Sequence, residues 1–363
     1  MKPEEFVGSL QDAGFAPFMG IPCSVFKHLL NYIGDSDQVQ NYLCSSEGEA
    51  MGLAAGFSLT GKIPVVYMQN DGYGNAVNPL SSLQLLYRLP ALLLISWRAE
   101  PGMKDAPQHK LMGQTILPLL DTFEIPYVVL HGESDLSQHI AMAREYCVNQ
   151  SVPFAFIVKK GYFEQYDKAS ISPENKLDKR MDYIPLLTDN AGPDDVFLGA
   201  TGFSGRELYQ SVAHKGKFYM MGSMGCLASI GLAVALESPE KRVFVLDADG
   251  ALLMKMGTMA TVGHYQPKNL IHICFDNRAY ESTGGQLTLS SAVDFPSVAK
   301  ACGYRTVSKV RSVEDFRLIV EEIGQYENPH FIHIEIESGT VDGLGRPSDS
   351  PEEMKASLMG FLK

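Results

Sequence analysis

Asp247-Ala-Asp-Gly250, a helical-looking run, the apolar Asn269-Leu-Ile-His-Ile-Cys-Phe275, and then Asp276-Asn277-Arg278-Ala279-Tyr280 make up the stretch that decides the fold. Asp249 precedes Asn277 by 28 residues (277 − 249), the span of a strand–helix–strand crossover between parallel strands. Such a crossover brings a carboxylate at the end of one strand and an amide at the end of the next to a single edge of a sheet. Both are hard oxygen donors of the kind that Mg²⁺ takes. The same residues also suit a plain sheet-end Asp and a turn-forming Asn with no metal.

Outward from this stretch, short apolar runs alternate with helical patterns along the chain. Strands are expected at 15–20, 40–44, 64–68, 91–96, 126–130 and 154–158, with helices at 25–33, 48–59, 75–86 and 136–147. After a polar segment the pattern restarts, with strands at 195–198, 218–221, 243–246, 270–275 and 330–337 and helices at 205–212, 225–236 and 313–323. This alternation predicts an α/β protein of two doubly wound parallel-sheet domains. The expected boundaries are 1–165 for the first domain, 166–180 for a linker and 181–363 for the second.

Composition narrows the function. Of 363 residues 45% are hydrophobic, enough for two cores. The net charge of −12 argues against nucleic acid or an anionic membrane as partner, and leaves an anionic substrate only where basic residues are concentrated. The six cysteines (Cys23, Cys44, Cys147, Cys226, Cys274, Cys302) lack C-x-x-C spacing, which fits free thiols better than a disulfide framework or zinc. The N-terminus carries no signal-like apolar run, and no apolar stretch is long enough to span a bilayer, so a cytoplasmic location is expected. A dinucleotide-binding reading is weak. Gly20-Ile-Pro-Cys-Ser24 follows the first strand instead of G-x-G-x-x-G, and its proline removes a donor that a phosphate loop uses.

The Asp249/Asn277 pair resembles the metal–diphosphate motif of thiamine diphosphate enzymes, with Ala248 in place of the usual first glycine. The resemblance implies thiamine diphosphate and Mg²⁺ as cofactors, with the metal on Asp249, Asn277 and the Ala279 carbonyl. It places Gly250, Ala251 and Tyr280 around the diphosphate. Glu47-Gly-Glu-Ala-Met-Gly-Leu-Ala-Ala-Gly56-Phe57 is similar to the family's small-residue helix, whose leading Glu meets the pyrimidine N1′. Glu47 is therefore expected in that role, with Glu49 as the alternative. A first-turn acid also simply complements a helix dipole. Gly222-Ser223-Met224-Gly225 resembles the segment that supplies the apolar wedge (Met224) and a carbonyl for the 4′-amino group (Gly222). Outside that context Met224 reads as a core methionine.

More widely, the strings Gly20-Ile-Pro-Cys-Ser24, Gly74-Asn-Ala-Val-Asn-Pro79, Trp97-Arg98, Pro107-Gln-His109, Thr201-Gly202 and Tyr280-Glu-Ser-Thr-Gly-Gly-Gln286 resemble the phosphonopyruvate decarboxylase family. Sulfopyruvate decarboxylases are its near cousins. The resemblance implies a pyrimidine-binding domain followed by a diphosphate-binding domain, with no middle domain. It implies non-oxidative decarboxylation of a small anionic 2-keto acid, 3-phosphonopyruvate to phosphonoacetaldehyde and CO₂. It also implies a homodimer or higher homo-oligomer with the cofactor at the subunit interface. Gly74, Asn75, Thr201, Gly202 and Ser223 would contact the cofactor. Cys23, Ser24, Asp71, Arg98, Lys104, Gln108 and His109 would surround the substrate, with His109 as proton relay and Arg98 and Lys104 as anion-binding charge. Arg206 and Arg346 are secondary anion-binding candidates.

Two departures bear on the substrate. The chain has Asp71 where the family commonly has Ser, and Ala106 where it commonly has Glu. A carboxylate about 4 Å from a phosphonate charge costs about 4 kcal/mol at an effective dielectric of 20. Asp71 either repels the substrate, or faces a cation or a neighbouring subunit. A sulfopyruvate decarboxylase, another keto-acid decarboxylase or carboligase, and a thiamine diphosphate-binding regulatory subunit are the alternatives. A binding-only subunit has no use for Glu47 or His109.

Overall fold

Residues 1–168, 177–211 and 213–363 are described by the computed structural model. The chain divides into two compact units, Met1–Ile171 with Thr283–Leu287, and Ser172–Ser282 with Thr288–Lys363. The middle of the expected linker, 169–176, lies outside the described residues, as does position 212 at the end of an expected helix. Two details differ from the contiguous domains read from the sequence. Arg180, placed in the linker, is the first residue of a helix. The segment Thr283–Leu287, placed in the second domain, belongs to the first unit.

In the first unit the elements run α1 (Pro3–Asp12), β1 (Phe15–Gly20), α2 (Lys27–Asp35), β2 (Asn41–Leu43), α3 (Glu47–Leu59), β3 (Ile63–Gln69), α4 (Tyr73–Pro79), β4 (Leu92–Ser96), α5 (Lys110–Thr122), β5 (Tyr127–Leu130), α6 (Leu136–Arg144) and β6 (Phe154–Val158). The six strands form one parallel sheet in the order β2-β1-β3-β4-β6-β5. Every residue of β4 and β6 is buried, which is why these strands read as unbroken apolar runs. Phe6, Phe18, Phe26, Phe154 and Phe156 are fully buried in this core, each contributing roughly 1.5–3 kcal/mol.

The second unit runs α7 (Arg180–Asp189), β7 (Val196–Gly199), α8 (Phe203–Ser211), β8 (Lys217–Tyr219), α9 (Leu227–Glu237), β9 (Val243–Ala248), α10 (Asp249–Met254), α11 (Thr258–Tyr265) and β10 (Leu270–Asp276). The two-residue strands β11 (Ala279–Tyr280), of this unit, and β12 (Gln286–Leu287), in the segment that belongs to the first unit, stand outside the large sheets. Then follow α12 (Phe295–Cys302), β13 (Thr306–Val310), α13 (Val313–Glu321), β14 (His330–Glu335) and α14 (Pro351–Leu362). The second six-stranded sheet is also parallel, in the order β13-β14-β10-β9-β7-β8. The chain passes from β7 to β8 on one side and then to β9 on the other. This reversal opens a crevice beyond the carboxyl ends of β7 and β9, where open α/β sheets bind ligands. No helix among the described residues is long and apolar enough to cross a membrane, and all six cysteines are unpaired.

Candidate active site

Every candidate residue follows the carboxyl end of a strand, and because both sheets are parallel these ends share one edge of each sheet. In the first unit Cys23 and Ser24 follow β1, Glu47 follows β2, Asp71, Gly74 and Asn75 follow β3, and Arg98, Lys104, Gln108 and His109 follow β4.

Glu47 and Glu49 part company here. The hydroxyl of Ser46 caps α3 by accepting from the Glu49 N–H at 3.3 Å. The exposed Glu49 carboxylate turns back to accept from the Ser45 N–H at 2.7 Å and its hydroxyl at 2.6 Å. Glu49 is thus spent on the helix end. Glu47 is buried, only 5% exposed, and accepts from the Asn75 side-chain amide at 2.8 Å. Its carboxyl lies against Gly72, where a Cβ would come within 2.3 Å of Glu47 Oε1. α3 can present such a group because Ala50, Met51, Ala54 and Ala55 bury its inner face. That packing offsets the roughly 1 kcal/mol that each of Gly48, Gly52 and Gly56 costs a helix.

The loops after β3 and β4 are tied together. Fully buried Asn70 donates to the Arg98 carbonyl at 3.0 Å and accepts from the Arg98 N–H at 3.1 Å. Arg98 grips Asp105 through two hydrogen bonds, Nε–Oδ2 at 2.6 Å and Nη2–Oδ1 at 2.5 Å, and reaches Ser24 Oγ at 3.2 Å. Burial alone would raise the Asp105 pKa, but the Arg98 guanidinium and the N–H groups of Ala106 and Ala99 hold it well below the usual carboxylate range. Arg98, expected as an anion-binding charge, therefore already carries a counter-ion, and Asp105 is a partner that sequence reasoning missed. Asp71 faces a different partner: the ring Nδ1 of buried His109 lies 2.7 Å from Asp71 Oδ2. Gln108 Nε2 stands 3.4 Å from the other ring nitrogen of His109. Lys104 is exposed on the same loop. Cys23 is buried and donates to Ser96 Oγ at 3.1 Å, and burial pushes its thiol pKa up, so it serves as a neutral donor.

In the second unit four strand ends contribute. Thr201 and Gly202 follow β7, Gly222–Met224 follow β8, Asp249–Ala251 open α10 after β9, and Asn277–Tyr280 follow β10. Contacts link these segments in sequence. Thr201 donates to the Met221 carbonyl at 2.8 Å. Ser223 and Gly225 both take positive φ, and a Cβ on Gly225 would meet the Ala251 carbonyl at 3.0 Å. A Cβ on Gly250 would come within 2.5 Å of the Tyr280 ring. Met224 is half-buried. The carboxylate of buried Asp249 accepts from Thr288 Oγ1 at 2.6 Å, and its pKa is pushed up to about 7 by burial and then by the negative charge of Asp276. Asp276 is held by His333 Nε2 at 3.0 Å. The Asn277 amide oxygen accepts from the Ala279 N–H at 3.1 Å, and its NH₂ donates to Glu281 at 3.2 Å. Glu281 is fixed by Arg180, which also pairs with Glu207 in the interior. Thr288 and His333 carry no sequence signal that would have drawn attention to them, whereas Asp276 and Glu281 lie inside the motif stretches without having been assigned a role. Arg206, a secondary anion-binding candidate, donates to the backbone carbonyls of Leu344 and Gly345.

Comparison with known proteins gives a consistent result. Residues 4–125 match the family "Thiamine pyrophosphate enzyme, N-terminal TPP binding domain" and residues 200–334 match "Thiamine pyrophosphate enzyme, C-terminal TPP binding domain". The chain is 36% identical to phosphonopyruvate decarboxylase from Streptomyces viridochromogenes, over 99% of this chain and 94% of that one. It is also 36% identical to the phosphonopyruvate decarboxylase of Streptomyces hygroscopicus, over 98% and 93%. Sulfopyruvate decarboxylase from Methanosarcina acetivorans is 30% identical over 97% and 96%.

Proposed function

The chain belongs to the phosphonopyruvate decarboxylase family of thiamine pyrophosphate enzymes, and on that premise we propose that it decarboxylates 3-phosphonopyruvate to phosphonoacetaldehyde and CO₂ with thiamine diphosphate and Mg²⁺. The observation that carries the cofactor reading is the state of Asp249. A carboxyl that is 2% exposed, beside Asp276 and with its pKa lifted to about 7, has no cationic partner among the described residues, and a divalent ion would supply one. Among the described residues no three His, Cys, Asp or Glu side chains are grouped to hold a metal by themselves. The proposed set is instead one carboxylate (Asp249), one amide oxygen (Asn277) and one carbonyl (Ala279). These are hard donors that leave places for diphosphate oxygens, the sharing typical of Mg²⁺. Gly250, bare under the Tyr280 ring, lets the backbone come close to such a group.

When bound, the cofactor supplies the electron sink for loss of CO₂. The protein's residues do the rest. Glu47, held by Asn75 in a dry position, would be the carboxyl that meets the pyrimidine N1′ and exchanges a proton there. Met224 would supply the apolar contact that supports the cofactor. His109 hydrogen-bonds the keto acid and moves a proton through Nε2, with Gln108 beside it. Cys23 and Ser24 complete the polar wall. The protein acts as a homodimer or higher homo-oligomer in the cytoplasm.

Sulfopyruvate is the second reading, favoured by one observation: Arg98 is already neutralised by Asp105, which suits a singly charged sulfonate better than a phosphonate dianion. Incubating the Mg²⁺- and thiamine diphosphate-loaded protein with phosphonopyruvate, sulfopyruvate and pyruvate, and measuring CO₂ and aldehyde, separates these. Phosphonopyruvate is expected to give the highest kcat/KM. A preference for sulfopyruvate moves the substrate, and no CO₂ from any of the three overturns the decarboxylase reading for this chain.

A further inference from the structure

We infer that Asp71 is the positioning residue of His109: its carboxylate fixes the imidazole as the Nδ1–H tautomer and so leaves Nε2 as the nitrogen that serves the keto acid. The inference rests on the decarboxylase reading for the use made of Nε2, but the pairing itself stands on geometry. His109 Nδ1 and Asp71 Oδ2 are 2.7 Å apart, and the two side chains are only 11% and 28% exposed. An ionised carboxylate accepts and does not donate, so at this distance the ring hydrogen sits on Nδ1. The neutral ring then carries its lone pair on Nε2, next to the Gln108 amide at 3.4 Å.

The backbone around Asp71 is built to hold this arrangement. Before it, Asn70 donates its N–H to the Ser96 carbonyl at 3.1 Å and clasps the Arg98 backbone through its side chain. After it, Gly74 N–H returns to the Asp71 carbonyl at 3.2 Å and Asn75 N–H to that of Gly72 at 2.9 Å. Gly72 in turn abuts the Glu47 carboxyl. Three consecutive residues thus fasten the β4 loop, the His109 ring and Glu47 respectively. The charges are also partitioned. Asp105 takes Arg98, and Asp71 is left to His109. When Nε2 holds a proton to deliver, the His109–Asp71 pair is neutral overall, so the carboxylate that would repel an anionic substrate is screened from it.

The test is ¹⁵N and ¹H NMR of the full chain labelled at histidine, with the His109 signals assigned by their loss in His109→Gln. The wild type is expected to show a protonated Nδ1 with a low-field Nδ1–H resonance. Asp71→Ser should lose that resonance and shift the ring toward the Nε2–H form. The same variant should lower kcat by roughly 10–100-fold, the usual effect of removing the partner that orients a functional histidine, with KM changed less than about threefold. Asp71→Glu should restore part of both. Should Asp71→Ser fail to fold by circular dichroism, Asp71→Ala, which keeps no acceptor for Nδ1–H, is read in the same way. An Nε2–H tautomer in the wild type overturns the inference, as does a Ser or Ala variant with tautomer and kcat unchanged. The NMR arm needs no substrate, so a wild type that releases no CO₂ refutes the decarboxylase reading while the tautomer still decides the role of Asp71.

Discussion

Replacing Asp249 by Asn should make the metal-free protein more stable at alkaline pH while removing its response to Mg²⁺. Asp249 is 2% exposed, and its pKa stands at about 7 against an ordinary 3.8 because of burial first and the charge of Asp276 second. The sign follows from proton counting. Between about pH 4 and pH 7 the folded state holds a proton that the unfolded chain has released, so stability falls as pH rises through that window. Above pH 7 the full cost of the buried charge is present. A shift of about 3 units at 1.36 kcal/mol each gives roughly 4 kcal/mol as an upper bound. Asn carries no such charge and keeps an oxygen for the Thr288 hydroxyl, now 2.6 Å from the carboxylate. The advantage of the variant over the wild type should grow by roughly 2–3 kcal/mol between pH 5 and pH 8. Thermal melts of chelator-treated wild type and Asp249→Asn at these two pH values check this, the expected gain being on the order of 5–10 °C in the variant's favour at pH 8. Mg²⁺ with thiamine diphosphate should raise the Tm of the wild type and leave that of the variant unmoved. A variant no more stable than the wild type at pH 8, or one that follows the same pH trend, would refute the reasoning.

Four further substitutions bear on the first unit. Glu47→Gln should cost on the order of 10²–10⁴ in turnover, whereas Glu49→Gln should cost far less turnover but about 1 kcal/mol of stability through the α3 cap, as steady-state rates and denaturant melts would show. Gly72→Ala should displace the Glu47 carboxyl, since the added methyl would lie within 2.3 Å of Oε1; kcat should fall at least roughly tenfold while circular dichroism stays native. Arg98→Ala should destabilise the protein by roughly 2–4 kcal/mol in urea melts at pH 7, because it leaves the 18%-exposed Asp105 carboxylate without its partner. As Asp105 has its pKa depressed in the fold, that contribution should persist at pH 5 and disappear only in strong acid.

The strands were legible where the sheets bury both faces. Val65–Met68, β4 and β6 show no alternation because no residue there faces water. The edge strand β13, Thr306-Val-Ser-Lys-Val310, has only its last residue buried and offers no such run, which is why it was not foreseen. Helix ends were blurred for a different reason. The expected helix at 75–86 is α4 up to Pro79 continued by a π-helical turn, Leu80–Leu85, and the one at 136–147 passes from α6 into another, Glu145–Gln150. The metal pair was readable because a crossover fixes the spacing of two strand ends. The partners that set its chemistry were not: Thr288 is 39 residues from Asp249 and Asp71 is 38 from His109. Only the fold brings those pairs together. Asp71 shows the difference most clearly. Read alone it is one negative charge too many, and in the folded chain it is the anchor of an imidazole.

The most direct test of the account is CO₂ release from 3-phosphonopyruvate by the intact protein loaded with thiamine diphosphate and Mg²⁺, beside the same protein stripped with chelator. The account predicts turnover with stoichiometric phosphonoacetaldehyde, lost on chelation and restored by Mg²⁺. Turnover that is indifferent to chelator and to added thiamine diphosphate, or no turnover from the fully loaded protein, would contradict it.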